Sequence, residues 1–241
     1  MKPFDSQKDV RGARYERSLF ASGMTPQVKI CGLKRVEEAL ACVEFGASAV
    51  GCVFYPPSPR FVSDEEARAV CSVLPPEVCG VGVFVDASFR DIMKKVERCG
   101  LKGIQLHGRE SPEFVMRLLQ EGLLVIKGVY VNGIPSLEAA ESFGASAYLV
   151  ECGGGALPGG NALQWDWGAA LDFSRKHPTV LAGGLNPENV AQAIGAASPD
   201  AVDVSSGVEA EPGRKDMDKV KRFLEAVSRS TCSRKPRRIF K

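Results

Sequence analysis

The chain has 241 residues, of which 44% are hydrophobic and 25% are charged, and its formal net charge is +2. These values are ordinary for a soluble globular protein and exclude a chain that is disordered throughout. No apolar run approaches the roughly 20 residues that a membrane-spanning helix needs. The apolar segment Leu19–Ala21 is also too short for the centre of a signal peptide. We therefore expect a cytoplasmic protein that does not contact the membrane.

The charge is distributed unevenly along the chain. Residues 230–241 carry five basic side chains and no acidic one, whereas residues 24–229 are acidic overall. A nucleic-acid-binding domain is expected to be basic over a whole face, so we predict no nucleic acid partner. Blocks of like charge are usually solvated, and the basic tail 230–241 is therefore predicted to be disordered.

Eight cysteines and two histidines are scattered along the chain. No two cysteines form a C-x-x-C pair, and His107 and His177 lie far apart in sequence. Zinc sites need clustered cysteine or histidine ligands, and disulfide frameworks are typical of small secreted chains. We therefore predict reduced cysteines and no metal site.

Short β-branched apolar runs alternate with longer segments of helical period. Ser63 before three acidic residues, and Pro112 and Pro187 at first helical positions, are typical helix starts. Asn186 with Asn189 is a looser form of the capping box. The predicted strands cover residues 27–31, 48–54, 78–85, 103–107, 123–129, 146–151, 179–183 and 200–205. The predicted helices cover residues 35–45, 63–73, 88–99, 111–121, 135–143, 167–176, 187–196 and 214–228.

Eight consecutive strand–helix units predict parallel strands with right-handed crossovers. A closed (βα)₈ barrel, or TIM barrel, typically takes about 250 residues and accounts for the pattern in one domain over residues 24–229. An open doubly wound sheet is the alternative, but its usual nucleotide signature G-x-G-x-x-G is absent after the first strand. We predict a TIM barrel that uses no cofactor.

The active site of such a barrel lies at the carboxyl ends of the strands. Cys31 ends the first predicted strand, and Lys29, two residues earlier, projects to the same side. A nearby ammonium predicts a lowered pKa of the Cys31 thiol, which is a candidate base or nucleophile, or else a core residue. Glu151 ends the sixth predicted strand, where partial shielding from water favours a carboxyl group that keeps its proton. Glu151 is thus a candidate acid, or else a cap of the next loop.

The loops after the seventh and eighth predicted strands are rich in small residues, and barrels commonly hold phosphate there. Gly183 and Gly184 allow the backbone to approach a ligand, and backbone N–H groups form an anion site. Ser205, Ser206 and Gly207 follow the eighth strand. The two loops together predict a phosphate site, although each is also compatible with a simple tight turn.

Two further side chains are candidate substrate ligands. Arg60 follows the second predicted strand in a loop stiffened by three prolines, and a guanidinium suits a carboxylate. The alternative is a solvated loop arginine. His107 ends the fourth predicted strand, where it is either a substrate-binding group or a hydrogen-bonded core histidine.

The chain resembles the phosphoribosylanthranilate isomerase family of tryptophan biosynthesis over about residues 27–228. The motifs that carry the resemblance occur in the order VKICGLK, CVFYPPSPRFVS, VGVFVD, IQLHG, LAGGLNPENV and AVDVSSGVE with PGRKD. The resemblance implies an Amadori rearrangement of a small phosphosugar–anthranilate substrate, with Cys31 as the base and a carboxylic acid at the end of strand six. It also implies that Arg60 holds the anthranilate carboxylate, that Asp203 binds sugar hydroxyls and that the glycine-rich loops hold the phosphate.

The sequence departs from the family pattern at three positions. Glu151 stands where the family has aspartate, so the predicted acid is one methylene longer, and Asp86 at the end of strand three is the reserve candidate. Ala162 replaces a glycine in the loop after strand six, and Lys34 stands where a small residue is usual.

Two other functions stay open. One is another phosphosugar enzyme, similar to indole-glycerol-phosphate synthase or a histidine-pathway isomerase. Lys127 would supply the lysine acid that such a synthase uses, but Cys31 would then be unexplained. The other is a non-catalytic barrel that binds a phosphate ligand. The resemblance begins near Met24, so we expect residues 1–23 to be a poorly ordered extension, and the oligomeric state is open between monomer and homodimer.

Overall fold

The computed structural model describes residues 23–153 and 164–241. Within them, eight parallel strands form a closed barrel in sequence order, with the eighth strand paired to the first. The prediction of a TIM barrel is confirmed. The strands are β1 (Gln27–Cys31), β2 (Ala49–Val53), β3 (Cys79–Phe84), β4 (Gly103–Leu106), β5 (Leu124–Tyr130), β6 (Ala147–Glu151), β7 (Thr179–Leu181) and β8 (Ala201–Val204).

Helices follow the strands and form the outer layer of the barrel. None of the helices in the described ranges is long and apolar enough to cross a membrane. A short hairpin, β9 (Glu209–Glu211) and β10 (Arg214–Lys215), follows β8. The helices are α1 (Val36–Glu44), α2 (Asp64–Ser72), α3 (Phe89–Cys99), α4 (Pro112–Gln120), α5 (Ala140–Phe143), α6 (Leu171–Lys176), α7 (Val190–Ala197) and α8 (Met217–Ser228).

The predicted helix starts are largely confirmed by hydrogen bonds of their side chains. Ser63 and Glu66 form a reciprocal capping box at the start of α2. Asn186 and Asn189 accept each other's backbone N–H, at 3.0 and 2.8 Å. This pair closes a turn before α7, which begins at Val190, so the prediction of Pro187 as the first helical residue is wrong. The helix predicted over 135–143 is only four residues long. The reason is that its first part runs beside β5, where the carbonyl of Pro135 accepts the N–H of Tyr130.

Side chains of each strand alternate between the barrel axis and the helix layer. The small and branched residues of one inward set pack together inside the barrel, whereas their neighbours in sequence belong to the core between strands and helices. This alternation turns the last inward residues of β1, β6 and β8 towards the C-terminal mouth of the barrel. They are Lys29 and Cys31, Glu151, and Asp203.

The basic tail 230–241 packs against the opposite, N-terminal mouth of the barrel. Ile239 and Phe240 are buried and complete the inward-facing core. The Gln27 side chain accepts the N–H groups of both residues and donates to the carbonyl of Phe240. Arg234 and Arg237 pair with the buried carboxylate of Asp200. The predicted solvated tail is therefore wrong, because an apolar pair ends the basic segment and a buried carboxylate compensates its charge.

We expect the Phe240→Ala variant to lose on the order of 3 kcal/mol of unfolding free energy, because a buried aromatic ring is removed from the floor of the barrel. Urea unfolding followed by circular dichroism measures this loss. Arg238→Ala, at an exposed position of the same tail, is the control and is expected to change the midpoint little. If both variants unfolded at the urea concentration at which the wild-type protein unfolds, Phe240 would not contribute to the stability of the core.

Candidate active site

Cys31 ends β1 and faces the barrel axis at the C-terminal mouth. Gly51 of β2 lies against it, and a Cβ at Gly51 would come within 2.8 Å of the Cys31 sulfur. Val53 and Val83 form a small apolar cluster with Cys31, with Tyr55 at its edge. Cys31 is 7% exposed, with these apolar side chains on one side of its thiol.

The charges beside Cys31 are Lys29 and Asp203, which pair across the contact between β1 and β8. The Lys29 ammonium is fully buried and donates to Asp203 Oδ1 at 2.9 Å. Burial lowers the pKa of Lys29, but Asp203 and Cys31 more than offset this effect, so the net pKa is raised and the ammonium stays charged.

The pKa of Cys31 is raised. Burial raises it, Lys29 lowers it, and the Asp203 carboxylate raises it again. The prediction of a lowered pKa is therefore wrong, mainly because the thiol is buried, and also because the Asp203 carboxylate opposes the effect of Lys29. The thiol form predominates at neutral pH in the unliganded protein.

Glu151 ends β6 and contacts His107, which follows β4. Its Oε1 lies 3.1 Å from His107 Nε2, and His107 Nδ1 lies 3.2 Å from Gln105 Nε2. A Cβ at Gly183, after β7, would be 3.3 Å from the Glu151 Cβ. The Glu151 side chain therefore starts beside the first predicted phosphate loop and its carboxyl group contacts His107, so Glu151 is not merely a loop cap.

Arg60 is buried beside Gly32, the residue after Cys31, and is not a solvated loop residue. A Cβ at Gly32 would lie 2.7 Å from Arg60 Cδ and 3.2 Å from Ser205 Oγ. The Nε and Nη2 groups of Arg60 donate to the two carboxylate oxygens of Glu209 at 2.8 and 2.7 Å. One edge of the guanidinium is thus held by the protein, in the two-bond geometry that arginine favours with carboxylates.

Lys215 of β10 completes this buried charge cluster. Its ammonium donates to Glu209 Oε1 at 2.9 Å and to the Ser205 carbonyl at 3.1 Å. Burial lowers the pKa of Lys215, and Glu209 opposes the effect only in part. Burial by itself raises the pKa of Glu209, but Arg60 and Lys215 outweigh it and leave the pKa below its usual range. Glu209 is therefore an ionised carboxylate.

The two predicted phosphate loops lie against each other. Gly183 and Gly184 have φ angles of 85° and 67°, in the left-handed region that favours glycine. Gly207 lies in a short 3₁₀ turn, Ser206–Val208, and a Cβ there would be only 1.9 Å from the Leu185 carbonyl oxygen. The loops after β7 and β8 therefore meet at a glycine that has no room for a side chain.

Two residues weighed as acids point elsewhere. Lys127 is fully buried in the helix layer, where its ammonium donates to Glu110 Oε2 at 3.0 Å and to the Gly108 carbonyl at 2.8 Å. Asp86 is exposed, and its Oδ1 accepts the backbone N–H of Arg109 at 2.6 Å. Lys127 cannot act as an acid in the barrel mouth, which removes the feature that supported a synthase-like function.

The fold and the site define a TIM-barrel protein whose C-terminal mouth joins a thiol, a carboxyl group and two glycine-rich loops. The family model of N-(5′-phosphoribosyl)anthranilate (PRA) isomerase matches residues 28–226. The chain belongs to this family, and the resemblance seen in its motifs is confirmed.

Individual relatives agree with this assignment. The chain is 52% identical over 217 residues to the N-(5′-phosphoribosyl)anthranilate isomerase of Desulfatibacillum aliphaticivorans, which covers 90% of this chain and 100% of that one. The crystal structure of phosphoribosyl anthranilate isomerase from Thermotoga maritima is similar with a TM-score of 0.77 and 43% identity, over 84% of this chain and 98% of that one. A phosphoribosyl anthranilate isomerase in complex with reduced 1-(o-carboxyphenylamino)-1-deoxyribulose 5-phosphate has a TM-score of 0.74 and 43% identity, with the same coverage.

Sequence reasoning assigned no role to three residues of this site. Glu209 and Lys215 belong to the motifs that carry the resemblance, but nothing local indicates that they meet Arg60, 149 positions from Glu209. Gln105 precedes His107 by two residues in the predicted strand 103–107. Residues two apart in a strand face the same side, so this spacing could have indicated that the two side chains meet.

The opposing effects of Lys29 and Asp203 on Cys31 are open to a direct test. Asp203→Asn is expected to lower the pKa of Cys31 and to speed its alkylation by iodoacetamide at pH 8, whereas Lys29→Met is expected to raise the pKa and to slow alkylation. A change of one pKa unit corresponds to about a tenfold change in the thiolate fraction well below the pKa. Mass spectrometry of the Cys31 peptide measures both rates, with Cys152 as an internal reference. Changes in the same direction would contradict the assignment of charges.

Proposed function

We propose that the chain catalyses the Amadori rearrangement of N-(5′-phosphoribosyl)anthranilate to 1-(2-carboxyphenylamino)-1-deoxyribulose 5-phosphate, a step of tryptophan biosynthesis. The observation that carries the proposal is the arrangement of the mouth. Cys31 and Glu151 both face the axis, and the two glycine-rich loops lie between them around the ring, in the order β6, β7, β8 and β1. A phosphate held by these loops would leave the sugar between base and acid. The family assignment supports the same reaction.

The reaction is an isomerisation that needs only proton transfers. Glu151 donates a proton to the ribose ring oxygen, the C1′–O bond breaks, and the anthranilate nitrogen forms a protonated Schiff base. Cys31, as the thiolate, removes the C2′ proton, and the electron pair moves through C1′ to nitrogen and gives an enolamine. The enolamine then tautomerises to the ketone. The cationic Schiff base favours the thiolate beside it, which compensates for the raised pKa of the free thiol.

Arg60 is proposed to bind the anthranilate carboxylate with the edge of its guanidinium that Glu209 does not occupy. Glu209 holds Nε and Nη2, so Nη1 and the second hydrogen of Nη2 remain for an end-on contact. Glu209 and Lys215 hold the arginine rigidly, which limits the entropy lost on binding.

The remaining contacts are assigned by position. The loops of Gly183 and Gly184, and of Ser205, Ser206 and Gly207, are proposed to hold the phosphate through backbone N–H groups. Asp203 and His107 are proposed to contact the sugar, since both lie at the carboxyl ends of their strands and face the barrel axis.

The remaining partners and the location stay predictions. The substrate is proposed to be the only small molecule required, with no metal, cofactor or nucleic acid, and the protein is expected to act as a monomer or a homodimer. The eight cysteines are unpaired thiols, which is typical of a reducing compartment and favours the cytoplasm.

The function is tested by adding purified protein to freshly prepared phosphoribosylanthranilate and following the loss of its fluorescence. Cys31→Ser is expected to lower kcat by about 10²–10⁴-fold or more, because a hydroxyl is a poor base. Its affinity for the reduced product analogue is expected to stay within about tenfold of the wild-type value. Cys71→Ser, in α2 outside the mouth, is the control. Unchanged turnover by Cys31→Ser would refute Cys31 as the base.

Glu151→Gln is expected to lower kcat by about 10²–10⁴, the usual contribution of a positioned proton donor. Glu151→Asp restores the residue typical of the family and is expected to retain part of the activity, because the acid is kept but its reach is shortened. Glu65→Gln, an exposed position in α2, serves as the control. Wild-type protein that binds the analogue but does not turn over the substrate would favour the non-catalytic barrel.

A further inference from the structure

Gln105 is a buried residue of the barrel interior to which the reaction above assigns no role. Gln105 is 3% exposed and His107 is 5% exposed. The amide Nε2 of Gln105 lies 3.2 Å from His107 Nδ1, and His107 Nε2 lies 3.1 Å from Glu151 Oε1. The three side chains therefore form a short chain of hydrogen bonds that ends on the proposed acid.

The chemistry of the amide determines which nitrogen of His107 carries hydrogen. An amide NH₂ only donates, so His107 Nδ1 must accept and carries no hydrogen. The hydrogen of the neutral ring is then on Nε2 and is donated to Glu151 Oε1. In this orientation one hydrogen of the NH₂ group is donated to Nδ1, and the amide oxygen has no partner among the described residues. Rotation of the amide by 180° would place its oxygen towards Nδ1 and would require Nδ1 to carry the hydrogen, so the tautomer of His107 reports the orientation of Gln105.

We propose that Gln105 is a positioning residue that keeps the hydrogen of the His107 ring on Nε2 and thereby directs the acidic proton of Glu151 to Oε2. This inference rests on the proposed function of Glu151. Because Oε1 accepts from His107, a protonated Glu151 carries its hydrogen on the other oxygen. A hydrogen on Nδ1 would instead point at the hydrogens of the amide, so the Gln105 side chain disfavours the tautomer with the hydrogen on Nδ1.

The tautomer of His107 is measured without any substrate. In nitrogen-15 NMR spectra of histidine-labelled protein, Nδ1 of His107 is expected in the unprotonated range and Nε2 in the protonated range. A His177→Asn variant assigns the two histidines. Gln105→Glu, whose carboxylate only accepts, is expected to move the hydrogen onto Nδ1. A wild-type spectrum with Nδ1 protonated would overturn the proposal, whatever the activity of the protein.

The effect on turnover is measured in two matched variants. Gln105→Glu is expected to lower kcat at least about tenfold while KM changes less than about threefold, as part of what a positioned proton donor contributes. Gln105→Met is uncharged and of similar length, so it tests the proposal if the buried carboxylate of Gln105→Glu prevents folding. It is expected to lower kcat less than Gln105→Glu does, again with little change in KM. Unchanged kcat in a folded Gln105→Met or Gln105→Glu protein would contradict the proposal.

A double-mutant cycle separates positioning from a general structural effect. In the Glu151→Gln background, either substitution at Gln105 is expected to change kcat no further, because the residue acts through the acid. Additive losses would show that Gln105 acts elsewhere. If wild-type protein lacks turnover, or if Glu151→Gln retains it, the proposed function fails, whereas the NMR result still decides the tautomer.

Discussion

The contact between β1 and β8 closes the barrel, and the site depends on it. Lys29 and Asp203 are register partners across this contact, and their 2.9 Å ion pair is almost entirely buried. Removing one member of such a pair leaves an uncompensated buried charge, which typically destabilises a protein by about 3–5 kcal/mol. The same closure brings Ser205 to Cys31, whose carbonyl accepts the Ser205 hydroxyl at 3.0 Å. The first and last strands therefore build one half of the mouth together.

The charges at the mouth are arranged in pairs, and this arrangement explains how so many ionised groups are buried. Lys29 is neutralised by Asp203, whereas Arg60 and Lys215 share Glu209. The second cluster contains two basic side chains and one carboxylate, which suits a substrate with a carboxylate and a phosphate. Its groups are fixed by hydrogen bonds before a ligand arrives, so little reorganisation is required on binding.

The two ends of the barrel have different tasks, as is usual for this fold. The N-terminal mouth is filled by Ile239 and Phe240, held by Gln27 and by the ion pairs of Asp200. The C-terminal mouth contains the polar groups and glycines to which ligand binding is assigned above. Substitutions at the tail are thus expected to affect stability, whereas those at the mouth affect chemistry.

Much of the fold followed from the sequence. The alternation of strands and helices predicted eight units, and the strand predicted at 27–31 matches β1, because periodicity and helix caps depend on residues close together in the chain. The positions of Cys31 and Glu151 were predictable as well, since both end strands and the period of two fixes the side to which each points.

Only the tertiary structure decided which charges meet. The Arg60–Glu209 pair joins residues 149 positions apart, and the tail docks on Asp200 through contacts 34 and 37 positions apart. The pKa of Cys31 depends on its burial and on Asp203, and both arise only when the barrel closes. A sequence determines local conformation through neighbouring residues. The field at a buried group depends instead on the distances to charges from distant segments, and these distances exist only in the folded chain.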